Sequence, residues 1–191
     1  MGYNFRNLDA HARALMVEEI SGDVACSALY IPPRLSPQGH DVYPQLLRAA
    51  VSTGNEQSLA AKLRDKGLMK SSEMRRTKIG VAKTPLPKNA VEELAETEFN
   101  RFYVRAMCRI AAEMGAGQVE IYRAQDVADV TPGVELGIGR RVDAARLLAD
   151  LRNSVDLDAA LGLSSGKHAG LSVMPVAAAP APSVAAHVEA V

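Results

Sequence analysis

Arg101, Arg105 and Arg109 recur every fourth residue in "EFNRFYVRAMCRIAAEMG", residues 98–115, with Phe102 and Tyr103 between the first two. On a helix a step of four advances about 400°, so the three guanidinium groups would share one slowly drifting face. Two readings follow. In the first the row is a solvated face, with Glu98 and Glu113 pairing with Arg101 and Arg109 at helical spacing, which is worth about 0.2–0.5 kcal/mol per pair. In the second it is an interface stripe, because the planar fork of arginine matches phosphates or a partner's carboxylates. Arg105 has no acid four residues to either side. The interface reading therefore centres on it, and expects Arg105→Glu to block assembly while leaving the isolated fold intact. Phe102 fits an apolar stripe, with Tyr103 at its margin.

A second basic group runs from Lys62 to Lys83, with eight lysines or arginines against two acids. Arg75, Arg76 and Lys78 are its centre. Such charges could contact phosphates, and that binding would be strongly salt-dependent. The segment has no aromatic residue to stack on bases, and no nucleic-acid-binding signature surrounds it. A solvated loop accounts for it better, and a loop that orders on a neighbouring subunit would look identical in sequence.

Other chemistry is poorly supported. "GLSSGK", residues 162–167, has three residues between its glycines where a phosphate-binding loop has four, and His168 occupies the position of the magnesium-binding Ser or Thr. "GIGRR", residues 137–141, places two arginines where a helix begins, which suits an anion. His11, His40, His168 and His187 are scattered and show no metal-ligand spacing. Cys26 and Cys108 belong to no cluster, so a reducing compartment is expected, and Cys108 is read as a small hydrophobe on the long helix. No catalytic residue, metal or cofactor is expected.

Composition bounds the rest. The 191 residues fit one domain with an appendage. Twenty-two basic and twenty-two acidic residues cancel, so no bulk field drives the chain onto nucleic acid or an anionic membrane. Aromatics are 4 % and there is no Trp, so the core must rely on Leu, Val, Ala and Met. The N-terminus has no apolar signal region, and no run approaches the roughly 20 apolar residues of a membrane helix.

Periodicity and caps predict the elements that hold these groups. Helices are expected over 7–20 with Asn7 as cap, over 41–54 with Pro44 in the first turn, over 55–67 with Asn55 as cap, and over 141–154. The best helix spans Asn89 to Gly115, with Asn89 and Glu92 as a capping-box variant and Leu94 or Ala95, Phe99, Phe102, Ala106, Ile110 and Met114 as its stripe. "SGD" at 21–23 should end the first helix. Residues 32–39 should be irregular, and 68–88 an extended loop with room for a short hairpin. Residues 118–127 alternate like a strand, "TPGVELGIG" reads as a loop, and "DLDAALG" adds one turn. The result is a mainly helical α+β domain over residues 1–173, with amphipathic helices and a small sheet or hairpin. An extended Ala/Pro/Val-rich arm follows over 174–191.

At "NFRNLD", "EFNRFYVRAMCR", "VEIYRAQDV" and "LGLSSGKHAGLSV" the chain resembles a family of small hypothetical proteins of bacteria and bacteriophages or prophages, over nearly all of residues 4–173. No established activity comes with that family, so no functional residue is carried over. The resemblance implies phage-associated biology, in a bacterial cytoplasm or an assembled particle. The first functional expectation is a non-enzymatic assembly protein of a phage or phage-like particle, in its head, neck or connector region. Its partners would be other subunits, copies of itself included, with weak nucleic-acid contact and no membrane. The alternative is a nucleic-acid-binding accessory protein using 62–83 and the arginine row. The arm would lie on a neighbour, with Val176, Val184, Val188 and Val191 filling shallow apolar pockets and the prolines pre-extending it.

Overall fold

The computed structural model describes residues 2–77, 80–126, 132–163 and 170–176. It is a mainly helical α+β fold. In chain order the elements are helices α1 (Ala10–Ala25), α2 (Pro37–Thr53) and α3 (Glu56–Asp65), strands β1 (Ser72–Thr77) and β2 (Gly80–Pro85), helix α4 (Ala90–Glu113), strand β3 (Gln118–Arg123), helix α5 (Pro132–Glu135), strand β4 (Arg141–Asp143), helices α6 (Ala144–Asn153) and α7 (Leu157–Ala160), and strand β5 (Leu171–Pro175).

The centre is α4. Every residue from Glu98 to Cys108 is buried, which is three full turns with no solvated side. Neighbours on all sides cause this: α1, α2, α3, α6, β3 and β5 all touch α4. The expected single stripe is therefore too narrow. Tyr103 is fully buried rather than marginal, whereas Met114, at the stripe's end, is exposed. Phe5, in the N-terminal segment, packs its ring 4.6 Å from Tyr103 and 5.2 Å from Phe99. That segment is pinned to the strand side by Asn4 N–H on Ala124 O at 2.7 Å and by the Tyr122 hydroxyl on Asn4 O at 3.0 Å.

Beside α4 lies a three-stranded antiparallel sheet of order β4-β3-β5. Val119, Ile121 and Val173 point into the core, fully buried. β5 runs to Pro175 and pairs Met174 with Glu120, and Val176 N–H donates to Gln118 O at 3.2 Å. The first residues of the expected arm, Val176 among them, thus belong to this chain's own sheet. Val184, Val188 and Val191 lie outside the described residues, as does Lys78.

Several boundaries move. α1 begins at Ala10, capped by Asp9 rather than Asn7, and continues through "SGD" to Ala25. Gly22 weakens that turn, but Asp23 anchors it by a side-chain contact described below. α2 begins at Pro37, capped by the Ser36 hydroxyl, so Pro44 lies inside the helix rather than in its first turn. The proline removes one donor, and the His40 carbonyl it would have met is on the exposed side. Gly39 is no turn residue; it lets α2 approach Leu68, whose carbonyl would sit 2.4 Å from a Cβ there. The Asn55 cap of α3 is as expected, reciprocated by Ser58. Asn89 makes no cap bond; its side chain donates to Glu93 instead, at 2.8 Å. The loop 68–88 contains the β1–β2 hairpin, and β4 and the short α5 also replace expected helix or loop.

Asn100 joins helix to sheet. Its amide donates to Leu171 O at 2.8 Å and its carbonyl accepts from the Ser172 hydroxyl at 2.7 Å, all of it buried. Asn100→Leu should leave both β5 groups unpartnered and cost about 2–6 kcal/mol, at roughly 1–3 per orphaned group. Urea denaturation measures this. A loss well below 1 kcal/mol would mean that β5 is held by its strand pairing alone.

Candidate functional site: the arginine row and the hairpin

α4 does present its arginines along one helix, but the first two are not on a surface. Arg101 is 3 % and Arg105 1 % exposed, and only Arg109 reaches partway to water. This overturns both expectations for Arg101 and Arg105, since neither a solvated face nor an accessible stripe holds a buried guanidinium. The reason is the all-round burial of α4, which makes every charge there find an internal partner.

Arg105 finds it on α1. Its Nε and Nη2 donate to Glu19 Oε2 at 2.9 and 2.7 Å, while Nη1 and Nη2 donate to Asp23 Oδ2 and Oδ1 at 2.6 and 2.8 Å. Glu19 and Asp23 are four apart, so one helical face holds both carboxylates for one fork. Glu19 also accepts from Arg152 at the end of α6, at 2.6 Å on Oε1 and 3.1 Å on Oε2. Arg109 spans Glu19 Oε1 at 3.4 Å and Glu18 Oε2 at 2.7 Å. One buried carboxylate therefore gathers three arginines from two helices.

Burial works to raise the Glu19 carboxyl, but the hydrogen bonds and charges of Arg152 and Arg105 outweigh it and hold the group below the usual carboxylate range. Glu98 behaves oppositely. Burial dominates and pushes it above that range, although the charge of Arg101 and hydrogen bonds from Tyr43 and Arg101 oppose the shift. Arg101 Nη2 donates to Glu98 Oε2 at 2.6 Å and the Tyr43 hydroxyl to the same oxygen at 3.0 Å. The expected Glu98–Arg101 pair thus exists, but inside the protein. Arg101 Nε is buried, with no partner among the described residues. Phe102 lies between the two buried cations, each guanidinium carbon 4.9 Å from its ring centre. Glu113 lies 2.6 Å from His11 Nε2 rather than on Arg109.

Sequence reading missed Glu19, Asp23 and Arg152. The available signal was the four-residue spacing of Glu19 and Asp23, complementary to an arginine with no local acid, but the expected end of the first helix at 21–23 separates the two. The lack of an acid near Arg105 in sequence marks a long-range partner rather than a free guanidinium.

The other group is exposed. Arg75, Arg76 and Lys83 sit on the β1–β2 hairpin, where, among the described residues, the strands pair only with each other. Met74 stands opposite Lys83 and Val81 opposite Arg76, so the four share one face of the ribbon. Met74 is 67 % and Val81 65 % exposed. At the root, Glu73 on the opposite face accepts from Arg34 at 2.9 Å, and Arg34 also reaches Glu93 at 3.3 Å. The basic run is thus split: Lys62, Arg64 and Lys66 lie on and just after α3, where Arg64 pairs with Glu92, Lys70 lies before the hairpin and donates to Pro33 O, and Arg75, Arg76 and Lys83 ride the ribbon.

The remaining motifs gather little. Cys26 is exposed and Cys108 buried, both free, and burial pushes the Cys108 thiol up to about 12, which makes it inert. Arg140 and Arg141 do lie before α6, but the Asp143 carboxylate caps that helix and Arg140 is spent on the Leu161 carbonyl. Residues 164–169, with most of "GLSSGK" and His168, lie outside the described residues, as does His187. Among the described residues no three His, Cys, Asp or Glu converge as metal ligands, and no helix is long and apolar enough to cross a membrane.

Arg105→Glu should unfold the domain, not merely block assembly, because it sets a third acid against Glu19 and Asp23. Arg105→Met, which keeps the stem's packing, should still cost about 3–5 kcal/mol by leaving Glu19 less compensated. A cooperative melt for Arg105→Glu at the wild-type temperature would refute this.

The pH dependence has two signs. Glu19 is depressed in the fold, so its contribution is complete above the ordinary glutamate value of about 4.3 and is lost as pH falls through its folded value. Glu98 is raised, so its contribution is complete below that ordinary value and is lost as pH rises through its folded value. Glu19→Gln should therefore flatten the acid side of the stability curve between about pH 5 and pH 2. Urea midpoints across that range measure it, and an unchanged acid slope would remove Glu19 as the cause.

Compared with family models, curated proteins and solved structures, the chain matches none.

Proposed function

We propose that the chain is a non-enzymatic assembly protein of a bacteriophage or phage-like particle, working through subunit contacts, with the β1–β2 hairpin as the contact element. One observation carries the assembly role: a two-stranded ribbon that stands off the domain with Met74 and Val81 both about two-thirds exposed on the same face. An isolated two-stranded hairpin is marginal in water, and its outer edges offer unpaired backbone groups. A partner that covers the ribbon supplies both the missing burial and the missing pairing. The arginine row no longer contributes to this reading, since Arg101 and Arg105 are consumed internally. The phage-like class rests on the sequence resemblance over residues 4–173.

A second reading has its own observation. Arg75, Arg76 and Lys83 are exposed on the same ribbon, and a two-stranded ribbon has the width to enter a DNA major groove. That would make the protein a nucleic-acid-binding accessory factor.

One pair of variants separates the two. Met74→Asp with Val81→Asp should keep the domain's stability within about 0.5 kcal/mol and abolish self-association or incorporation, read by sedimentation velocity. Assembly at wild-type occupancy would overturn the proposal. Arg75→Glu with Arg76→Glu addresses the rival. A wild-type DNA complex tighter than about 10⁻⁸ M at physiological salt, lost in this variant, would replace the assembly reading with the second.

A further inference from the structure

Between the segment preceding α2 and the first turns of α4 lies a pocket of about 250 Å³. Tyr30, Pro33, Arg34, Leu94 and Val155 form its walls, and Glu98 is its most buried lining group. The volume sits just below the roughly 300–1,000 Å³ of small-molecule sites, which suits a ligand of fragment size. Mostly apolar walls with one deep carboxyl are the arrangement that fixes a ligand's orientation.

The charges select the ligand's sign. Arg34 is engaged by both Glu73 and Glu93. Arg101, which is not in the pocket's wall, is engaged by Glu98. Among the described residues, therefore, the guanidinium group in the lining is already engaged by carboxylates, and no lining cation is left for an anion. Glu98 takes both its hydrogen bonds on Oε2, from Tyr43 and Arg101. Among the described residues none donates to Oε1. A carboxyl oxygen with spare acceptor capacity at the bottom of an apolar pocket calls for a donor carrying positive charge. Val155 is among the exposed large hydrophobic residues, and a ligand's aliphatic stem would cover it.

We propose that this pocket binds a primary alkylammonium group, with the ammonium on Glu98 Oε1 and the stem along Pro33, Leu94 and Val155. Tyr30 adds an aromatic wall, over which the Arg101 guanidinium already stands at 5.7 Å from the ring centre. Burial alone disfavours the ionised Glu98 carboxyl, and an arriving ammonium supplies the charge that offsets it. The proposal is independent of the assembly role. The same chemistry is carried by a free amine and by a lysine side chain, and the two sources are separable.

The probe is n-butylammonium chloride, titrated into the full chain and followed by amide NMR, with butan-1-ol and sodium butyrate as controls. Saturable shifts centred on Leu94, Thr97 and Glu98, with a Kd on the order of millimolar, are expected, and both controls should bind at least about ten-fold more weakly. Glu98→Gln should lose about ten-fold or more. Should that variant fail to fold, Val155→Trp, which fills the pocket from the surface, must abolish the shifts. Butyrate binding as well as butylammonium, or unchanged binding by folded Val155→Trp, would overturn the proposal. A lysine-containing peptide that binds more tightly than butylammonium supports it and assigns the ammonium to a protein partner; weaker peptide binding supports it and assigns a free amine.

Discussion

The structure depends on placing guanidinium groups inside the protein. α4 is buried on all sides over three turns, yet its sequence carries charges in that stretch. An uncompensated buried charge is too costly to keep, so each one dictates where an opposite charge must lie. Arg105 requires Glu19 and Asp23 on one face of α1, and Glu19 in turn holds Arg152 at the end of α6. Three helices that are distant in sequence are fixed in mutual rotation by one carboxylate.

Such a device sets arrangement more than stability. A buried ion pair returns little net energy compared with well-packed apolar side chains, because desolvation consumes most of the attraction. What it does provide is intolerance of misplacement. A slide of α1 by one turn would leave Arg105 at most one of its two carboxylates, whereas Leu, Ala and Met can repack after a shift at modest cost. With few aromatics and no Trp, this core has few large anchors to define register by shape. The network does that work by charge, and Phe102, between two guanidinium groups, ties the apolar and ionic parts together.

This explains what the sequence could and could not convey. Local signals were legible: the Asn55 cap, the long helix near 89–115, the alternation of β3 and the mainly helical α+β class all appear as expected. Signals that depend on distant residues were not. Nothing within a turn of Arg105 reveals its acids, which lie 82 and 86 residues away. A spacing of four reads as one face, but it cannot say whether that face meets water or another helix. The same limit hid β5, whose short "LSVMP" run becomes a strand only because β3 and Asn100 receive it. The hairpin was half visible, since a basic run with no period describes an exposed ribbon as well as a loop. As for the site, the sequence located candidate arginines but inverted their roles: the row that looked available is locked, and the segment that looked structureless holds the open charges.

That inversion has a physical logic. A surface that must accept a partner cannot also be saturated by its own chain. α4 spends its cations on internal acids, and its position is overdetermined by every neighbouring element. The hairpin is tied to the domain through the Arg34–Glu73 pair and the backbone bonds around Leu35, Ser36 and Lys70. Beyond that root its apolar and basic side chains are left to water. A rigid body bearing one lightly tethered ribbon can present it without deforming, because opening or bending the hairpin disturbs no core contact. Regions of few buried contacts are those that move and bind at least cost. The Glu73–Arg34–Glu93 relay also places the hairpin root one residue from the pocket wall. A ligand that repositioned Arg34 would act on the ribbon's only charged anchor among these contacts, so occupancy of the pocket and the set of the hairpin share one side chain.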